Sequence, residues 1–139
     1  MRIVVDTNVF IGACLGSRSC IGVLEACLVG RATPCMGTTL LAEYEAVMQR
    51  PALAQGSGLS PDEREELLDI VLARCQWIRI YYSWRPNLPD EADNHLVELA
   101  VAAGAQAIVS RNARDLSRPE LRFPDIALLS PEQFLTDLP

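Results

Sequence analysis

The 139-residue sequence predicts an α/β fold, a sandwich of helices around a mainly parallel sheet of four to five strands. Three observations carry this expectation. Short apolar runs of strand length alternate with longer segments whose apolar residues recur at helical spacing. A Ser-Pro-acid helix start occurs twice ahead of such a segment. Gly16, Pro51, Pro86, Pro89 and Gly104 stand at the junctions.

Taken in order, Arg2 to Val5 reads as a fully buried strand, and Val9 to Val29 as helical stretches broken near Gly16-Ser17-Arg18-Ser19. Ala32 to Met36 is a second strand. Thr38 or Thr39 can cap the next helix, in which Leu40, Leu41, Tyr44, Val47 and Met48 keep helical spacing until Pro51 stops it. Pro51 to Leu59, with two glycines, reads as a loop. Ser60-Pro61-Asp62-Glu63 starts a helix with a capping box, and its acidic outer face reads as solvated. Trp77 to Tyr82 is a third strand, Asp90 to Ala103 a long helix ended by Gly104, Gln106 to Ser110 a fourth strand and Ile126 to Leu129 a fifth. Ser130-Pro131-Glu132-Gln133 then starts a last short helix. With no repeat, low-complexity tract or linker, residues 1–139 are expected to form one domain.

Half of the residues are apolar, enough for a substantial core. The longest nearly apolar run, Leu99 to Val109, is interrupted by Gln106 and falls short of the roughly 20 residues that span a membrane. Asp6 would sit inside the apolar region of any signal peptide, with only Arg2 ahead of it. A soluble, cytoplasmic protein is expected. Five cysteines (Cys14, Cys20, Cys27, Cys35, Cys75) include no C-x-x-C pair and have one histidine for company, so they read as small buried hydrophobes rather than zinc ligands. The net charge of −6 argues against binding nucleic acid by bulk positive potential. Asp62 to Asp69 alone contributes −4, so the remainder is close to neutral. All twelve basic residues are arginine, which codon usage explains more simply than selection for phosphate-binding forks.

In an open parallel sheet, ligands lie beyond the carboxyl ends of the strands. Four acids are expected there: Asp6 ending the first strand, Glu43 about a turn into the helix after the second, Asp93 in the first turn after the third, and Asp115 after the fourth. Each alone has an ordinary reading. Asp6 could be a helix cap, Glu43 an acid favoured by the helix dipole, Asp90 and Asp93 an N-cap with its third-position partner, and Asp115 a loop acid. Together they would repel one another unless a cation held them. Oxygen donors without histidine or cysteine suit Mg²⁺ or Mn²⁺, which can activate water and neutralise a phosphodiester.

Four stretches, VVDTNVFIGA (Val4 to Ala13), TTLLAEYEAVMQRP (Thr38 to Pro51), DEADNHLVELAVAAGAQAIVS (Asp90 to Ser110) and RNARDL (Arg111 to Leu116), resemble the PIN-domain nucleases, in particular the toxin components of bacterial toxin-antitoxin pairs. They occur in the family's order and span most of the chain. The resemblance implies a PIN-like three-layer α/β/α sandwich. It implies that Asp6, Glu43 and Asp93 bind metal, with Asp115 or Asn112 as the fourth residue. Thr7, Asn8 and Ser110 would order the site, and Asp90 would add an outer carboxylate. It further implies a metal-dependent ribonuclease acting on an RNA substrate, a protein antitoxin that blocks the site, and a homodimer. Arg111 and Arg114, with Arg118 and Arg122 nearby, are candidates for gripping RNA, against a solvated pairing with neighbouring acids.

His95 reads as a structural histidine with acid-base catalysis as its alternative, and Trp77, Tyr81, Tyr82 and Trp84 as packing residues with base stacking as theirs. A phosphatase of the haloacid dehalogenase type would need an acid where Asn8 stands, and a receiver domain would need a lysine, which the sequence lacks. A catalytically inactive PIN-like module that binds RNA or protein is the remaining alternative.

Overall fold

Ile3, Val4 and Val5 are almost wholly buried, and strand β1 (Arg2–Val5) accordingly lies at the centre of the sheet. The structure, a computed structural model, describes residues 1–79, 94–112 and 125–138. β1 is followed by α1 (Thr7–Cys14), α2 (Arg18–Leu28), β2 (Thr33–Met36), α3 (Thr38–Val47), α4 (Pro51–Gly56), α5 (Pro61–Arg74), β3 (Gln76–Trp77), α6 (Asn94–Ala103), β4 (Ala107–Val109), β5 (Ala127–Leu129) and α7 (Pro131–Asp137). The strands form one sheet in the order β3-β2-β1-β4-β5. Every pairing is parallel, with Ile3 opposite both Pro34 and Ala107, Val5 opposite Val109, Val109 opposite Leu129, and Met36 opposite Trp77. Helices flank the sheet, giving the expected α/β/α arrangement: α6 packs on β1, β2 and β4, while α2 packs against α1, α5 and α7.

Local chemistry explains most of the boundaries. Gly16, with φ of +93°, takes the left-handed conformation that ends α1, and Ser17 then caps α2 by accepting from the Cys20 N–H. Both expected capping boxes are present, Ser60 with Glu63 and Ser130 with Gln133. Donation from the Ser60 amide, then from its hydroxyl, holds the Glu63 carboxyl below its ordinary range. Two boundary expectations fail. Neither Thr38 nor Thr39 caps α3, whose N-cap is Gly37 with no side-chain cap bond. Pro51 does end α3, but the segment after it is the short helix α4 and not a loop, because Pro51 occupies the first turn, where its missing N–H costs nothing. Leu53 then buries itself in the core. Of the strand expected over Trp77 to Tyr82, Gln76–Trp77 is paired and the Ile78 N–H still reaches the Met36 carbonyl at 2.8 Å. Tyr81, Tyr82 and Trp84 lie outside the described residues. Trp77 sits on an edge strand and is 50% exposed, so it is not a core residue.

Tyr44, Phe10 and Phe134 are the bulkiest fully buried side chains among the described residues, and Tyr44 meets Phe10 edge to face, with ring centroids 5.4 Å apart. The five cysteines are free, four of them buried, as expected of small hydrophobes. Burial first, and the neighbouring thiols second, push Cys27 and Cys75 up to about 12. Among the described residues no single helix is long and apolar enough to cross a membrane.

The α1–α2 contact leaves room only for glycine at position 12. A Cβ there would lie 2.5 Å from Cys20 Sγ and 3.1 Å from Arg111 Nη1. Gly12→Ala should therefore destabilise the fold by about 1–3 kcal/mol through overpacking. Urea denaturation of Gly12→Ala, Cys20→Ala and the double variant would measure this. Most of the loss should disappear in the double variant, and additive losses would contradict the contact.

Candidate active site

Because the sheet is parallel, all of its strands deliver their carboxyl ends to one edge, and the chain order changes direction between β1 and β4. A crevice opens at such a point. Asp6 follows β1 and Ser110 follows β4, and the ladder carries on past both strands through Asp6 N–H to Val109 O (3.0 Å) and Ser110 N–H to Leu129 O (2.9 Å). The two residues thus face one another across the crevice.

Asp6 occupies the N-cap position of α1, with extended backbone and its carbonyl accepting from Val9 N–H, yet its carboxylate makes no cap bond. The carboxylate is engaged elsewhere. Oδ2 accepts from Ser110 Oγ at 2.8 Å and Oδ1 from Thr7 Oγ1 at 3.3 Å. Asp6 is 7% exposed, Thr7 is buried and Ser110 fully so. Ser110 Oγ also accepts from Asn8 Nδ2 (3.2 Å) and from the Asn112 N–H (3.0 Å). A hydroxyl has one proton, and with two N–H groups aimed at its oxygen that proton goes to Asp6. The arrangement therefore makes Asp6 the acceptor of both hydroxyls. Asn8 Oδ1 accepts from the Arg111 N–H at 3.1 Å, so both ends of that amide are used and its orientation is set.

Glu43 lies on α3, and its carboxylate is partly exposed at this edge. His95, near the start of α6, places Nε2 3.4 Å from Glu43 Oε2, and among the described residues neither ring nitrogen has a hydrogen-bond partner. The histidine expected to be structural therefore stands against a predicted metal ligand. Tyr44 is the residue that sequence reading missed. It had appeared only as part of an apolar helix face, yet its hydroxyl donates to the Val5 carbonyl at 2.7 Å, tying α3 to β1 one residue before Asp6. Burial chiefly, then the charges of Cys75, Asp6, Cys27 and Glu43, hold this phenol well above its ordinary value, so it stays a donor. A tyrosine beside a predicted site acid was the available signal.

The structure joins Asp6, Thr7, Asn8, Ser110 and the backbone of Arg111 and Asn112 in one network, whereas Glu43, on α3 beside His95, makes no bond to that network among the described residues. Asp90, Asp93, Arg114 and Asp115 lie outside the described residues. The Arg111 guanidinium stands over Gly12 on α1. Its charge also reaches Glu132, where it is the smallest of several effects holding that carboxyl low, after the residue's own backbone N–H and the Ser19 hydroxyl. Among the described residues no three histidines, cysteines or acids are grouped to hold a metal ion. The donor chemistry still fits a hard divalent cation. A nearly buried carboxyl group receives two hydroxyls and, among the described residues, no basic side chain, and its oxygens are donors of the hard kind such a cation takes.

The comparisons with known proteins agree with this architecture. A family model described as PIN domain matches residues 2–114. A solved structure, the crystal structure of VapBC2 from Rickettsia felis bound to a DNA fragment from their promoter, is similar at 19% identity and a TM-score of 0.59, covering 94% of this chain and 98% of that one. No curated protein matches by sequence. With the family model covering most of the chain, from the first strand to just beyond the fourth, the protein belongs to the PIN-domain family.

Proposed function

We propose that this PIN-domain protein is a Mg²⁺- or Mn²⁺-dependent endoribonuclease and the toxin of a toxin-antitoxin pair. The observation that carries the reading is the nearly buried Asp6 carboxylate, oriented by the directed hydroxyl of Ser110 at the carboxyl edge of the sheet. Family membership supports nuclease chemistry. Asp6 and Glu43, with Asp93 and either Asp115 or Asn112, would hold the ion. When bound, it supplies positive charge for a phosphodiester and an acidified water. Ser110 and Thr7 orient Asp6, Asn8 fixes Ser110, and Tyr44 ties α3, the helix that carries Glu43, to the end of β1. Acidity of the whole chain is compatible with an RNA substrate, because the ion brings its charge to the place where phosphate docks.

A protein antitoxin is supported by the likeness to the VapBC2 assembly and by an apolar crevice of about 770 Å³ between α1, α2 and α5. Leu15, Ile21, Leu24 and Leu67 line it beside Glu25, Glu63 and Glu66. That lining suits an amphipathic segment carrying basic residues. The crevice is the larger of the two described cavities and holds none of the candidate catalytic residues, as expected of a surface for binding a partner.

Purified protein should cleave single-stranded RNA with Mn²⁺ and lose that activity with EDTA. Asp6→Asn should abolish cleavage while leaving the thermal midpoint unchanged or higher, since it removes a buried charge from the metal-free site. Cleavage by folded Asp6→Asn would eliminate the proposed chemistry, and no cleavage by metal-loaded wild type would favour the inactive binding module. Ser110→Ala should weaken Mn²⁺ binding by about 10–100-fold, measured by calorimetry, because it frees the carboxylate to rotate. Equal affinity would remove Ser110 from the site. Replacing Arg111 and Arg114 by alanine should weaken RNA binding more than Mn²⁺ binding, and unchanged RNA affinity would dismiss the grip.

A further inference from the structure

The imidazole of His95 is set against one acid of the candidate site. Helix α6 is held by Leu96, Leu99 and Ala100, all buried in the core, and it packs on α3, where a Cβ at Gly37 would stand 3.3 Å from Leu99 Cδ1. His95 belongs to this fixed helix, and its side chain is 12% exposed. Both ring nitrogens are buried, and among the described residues neither has a hydrogen-bond partner. An unpaired buried donor is uncommon enough to need an explanation. Among the described residues Glu43 is the only acid paired with the ring, its Oε2 lying 3.4 Å from Nε2.

That distance is a few tenths of an ångström longer than a hydrogen bond. Glu43 is the partner able to close it, because its side chain is 39% exposed and its terminal torsion is broad, whereas the imidazole is hemmed in. A neutral imidazole carries one N–H, and a proton on Nε2 is the one that meets an acceptor. The bond engages Oε2 and leaves Oε1 as the oxygen offered to an ion. It also removes beforehand the rotamer freedom that an exposed glutamate loses on binding. Ser110 does the same for Asp6 across the crevice, with a hydroxyl in place of a ring N–H. With its nitrogens buried, the imidazole acts through the carboxylate and not as a ligand of its own.

We propose that His95 is a positioning residue for Glu43, its Nε2–H donating to Oε2 and fixing the carboxylate for the divalent ion. This role rests on the metal-dependent reading of the site. The sequence has a single histidine, so the imidazole nitrogen resonances of the untagged full chain belong to His95 without further assignment. At about pH 8, where an ordinary imidazole is neutral, NMR of the metal-free protein should show the proton on Nε2, and Glu43→Ala should move that resonance. A proton on Nδ1, or a resonance indifferent to Glu43→Ala, overturns the proposal. Calorimetric titration with Mn²⁺ should give about tenfold weaker binding in His95→Leu, which keeps the volume and loses the donor, and near wild-type binding in His95→Gln, whose amide reaches the position of Nε2. A residue needed only for packing would leave both variants unchanged or weaken both together, and either result overturns the proposal. Wild-type protein that binds no ion overturns the metal reading of the site and the role of His95 with it, a failure distinguishable because it precedes any substitution. If His95→Leu folds poorly, the position of the ring proton and its response to Glu43→Ala still decide the matter.

Discussion

The hydrogen bond from Ser110 to Asp6 is the contact on which the site depends, and it depends in turn on sheet register. Pairing of Val5 with Val109 brings the next residue of each strand side by side, so a serine and an aspartate well over a hundred positions apart in sequence become neighbours without any loop having to place them. Shifting β4 by one residue would turn Ser110 to the other face of the sheet. The buried apolar runs of the two central strands, which serve packing, are therefore what hold the chemistry in place.

The start of α1 contributes a second constraint. An aspartate at an N-cap usually gives its carboxylate to the first free N–H groups of the helix. Here the backbone takes the capping conformation and the carboxylate does not follow, because the hydroxyls of Ser110 and of Thr7, the first residue of the helix, bind it. The positive end of the α1 dipole still lies beside the anion and favours its charge. Tyr44 connects this arrangement to the core. Its ring packs on Phe10 of α1 while its hydroxyl holds the Val5 carbonyl, so one side chain fixes α3, α1 and the end of β1 relative to one another.

What could be read from the sequence was what short-range chemistry determines. Strand β1, the break at Gly16, both capping boxes and the stop at Gly104 follow from residue type and spacing, and the structure reproduces them nearly residue for residue. Asp6 was expected from the rule that a parallel sheet has one functional edge, whereas Asn8 and Ser110 were expected only from the resemblance to the PIN-domain family. Other features needed three dimensions. Pro51 carries one signal for ending a helix and another for starting one, and only the burial of Leu53 shows that the second also operates. His95 beside Glu43 and Tyr44 on Val5 are contacts between elements, with no trace in local pattern. Arg64 was concealed by its company: among five acids it reads as one member of a solvated face, although its spacing to Leu68 and Val71 puts it on the buried side of the same helix.

The inward turn of Arg64 also shapes the surface. With that cation withdrawn, the acids of α5 have no basic neighbour on their own helix before Arg74, and the outer side of α5 is strongly negative. RNA is repelled there. The carboxyl edge of the sheet is acidic too, but on the proposed reading a divalent ion reverses its sign, and no such reversal is available on α5. An acidic protein can in this way accept a polyanion at one edge while keeping another side for a partner of opposite charge, and the position of one arginine, inside rather than outside its helix, sharpens the division.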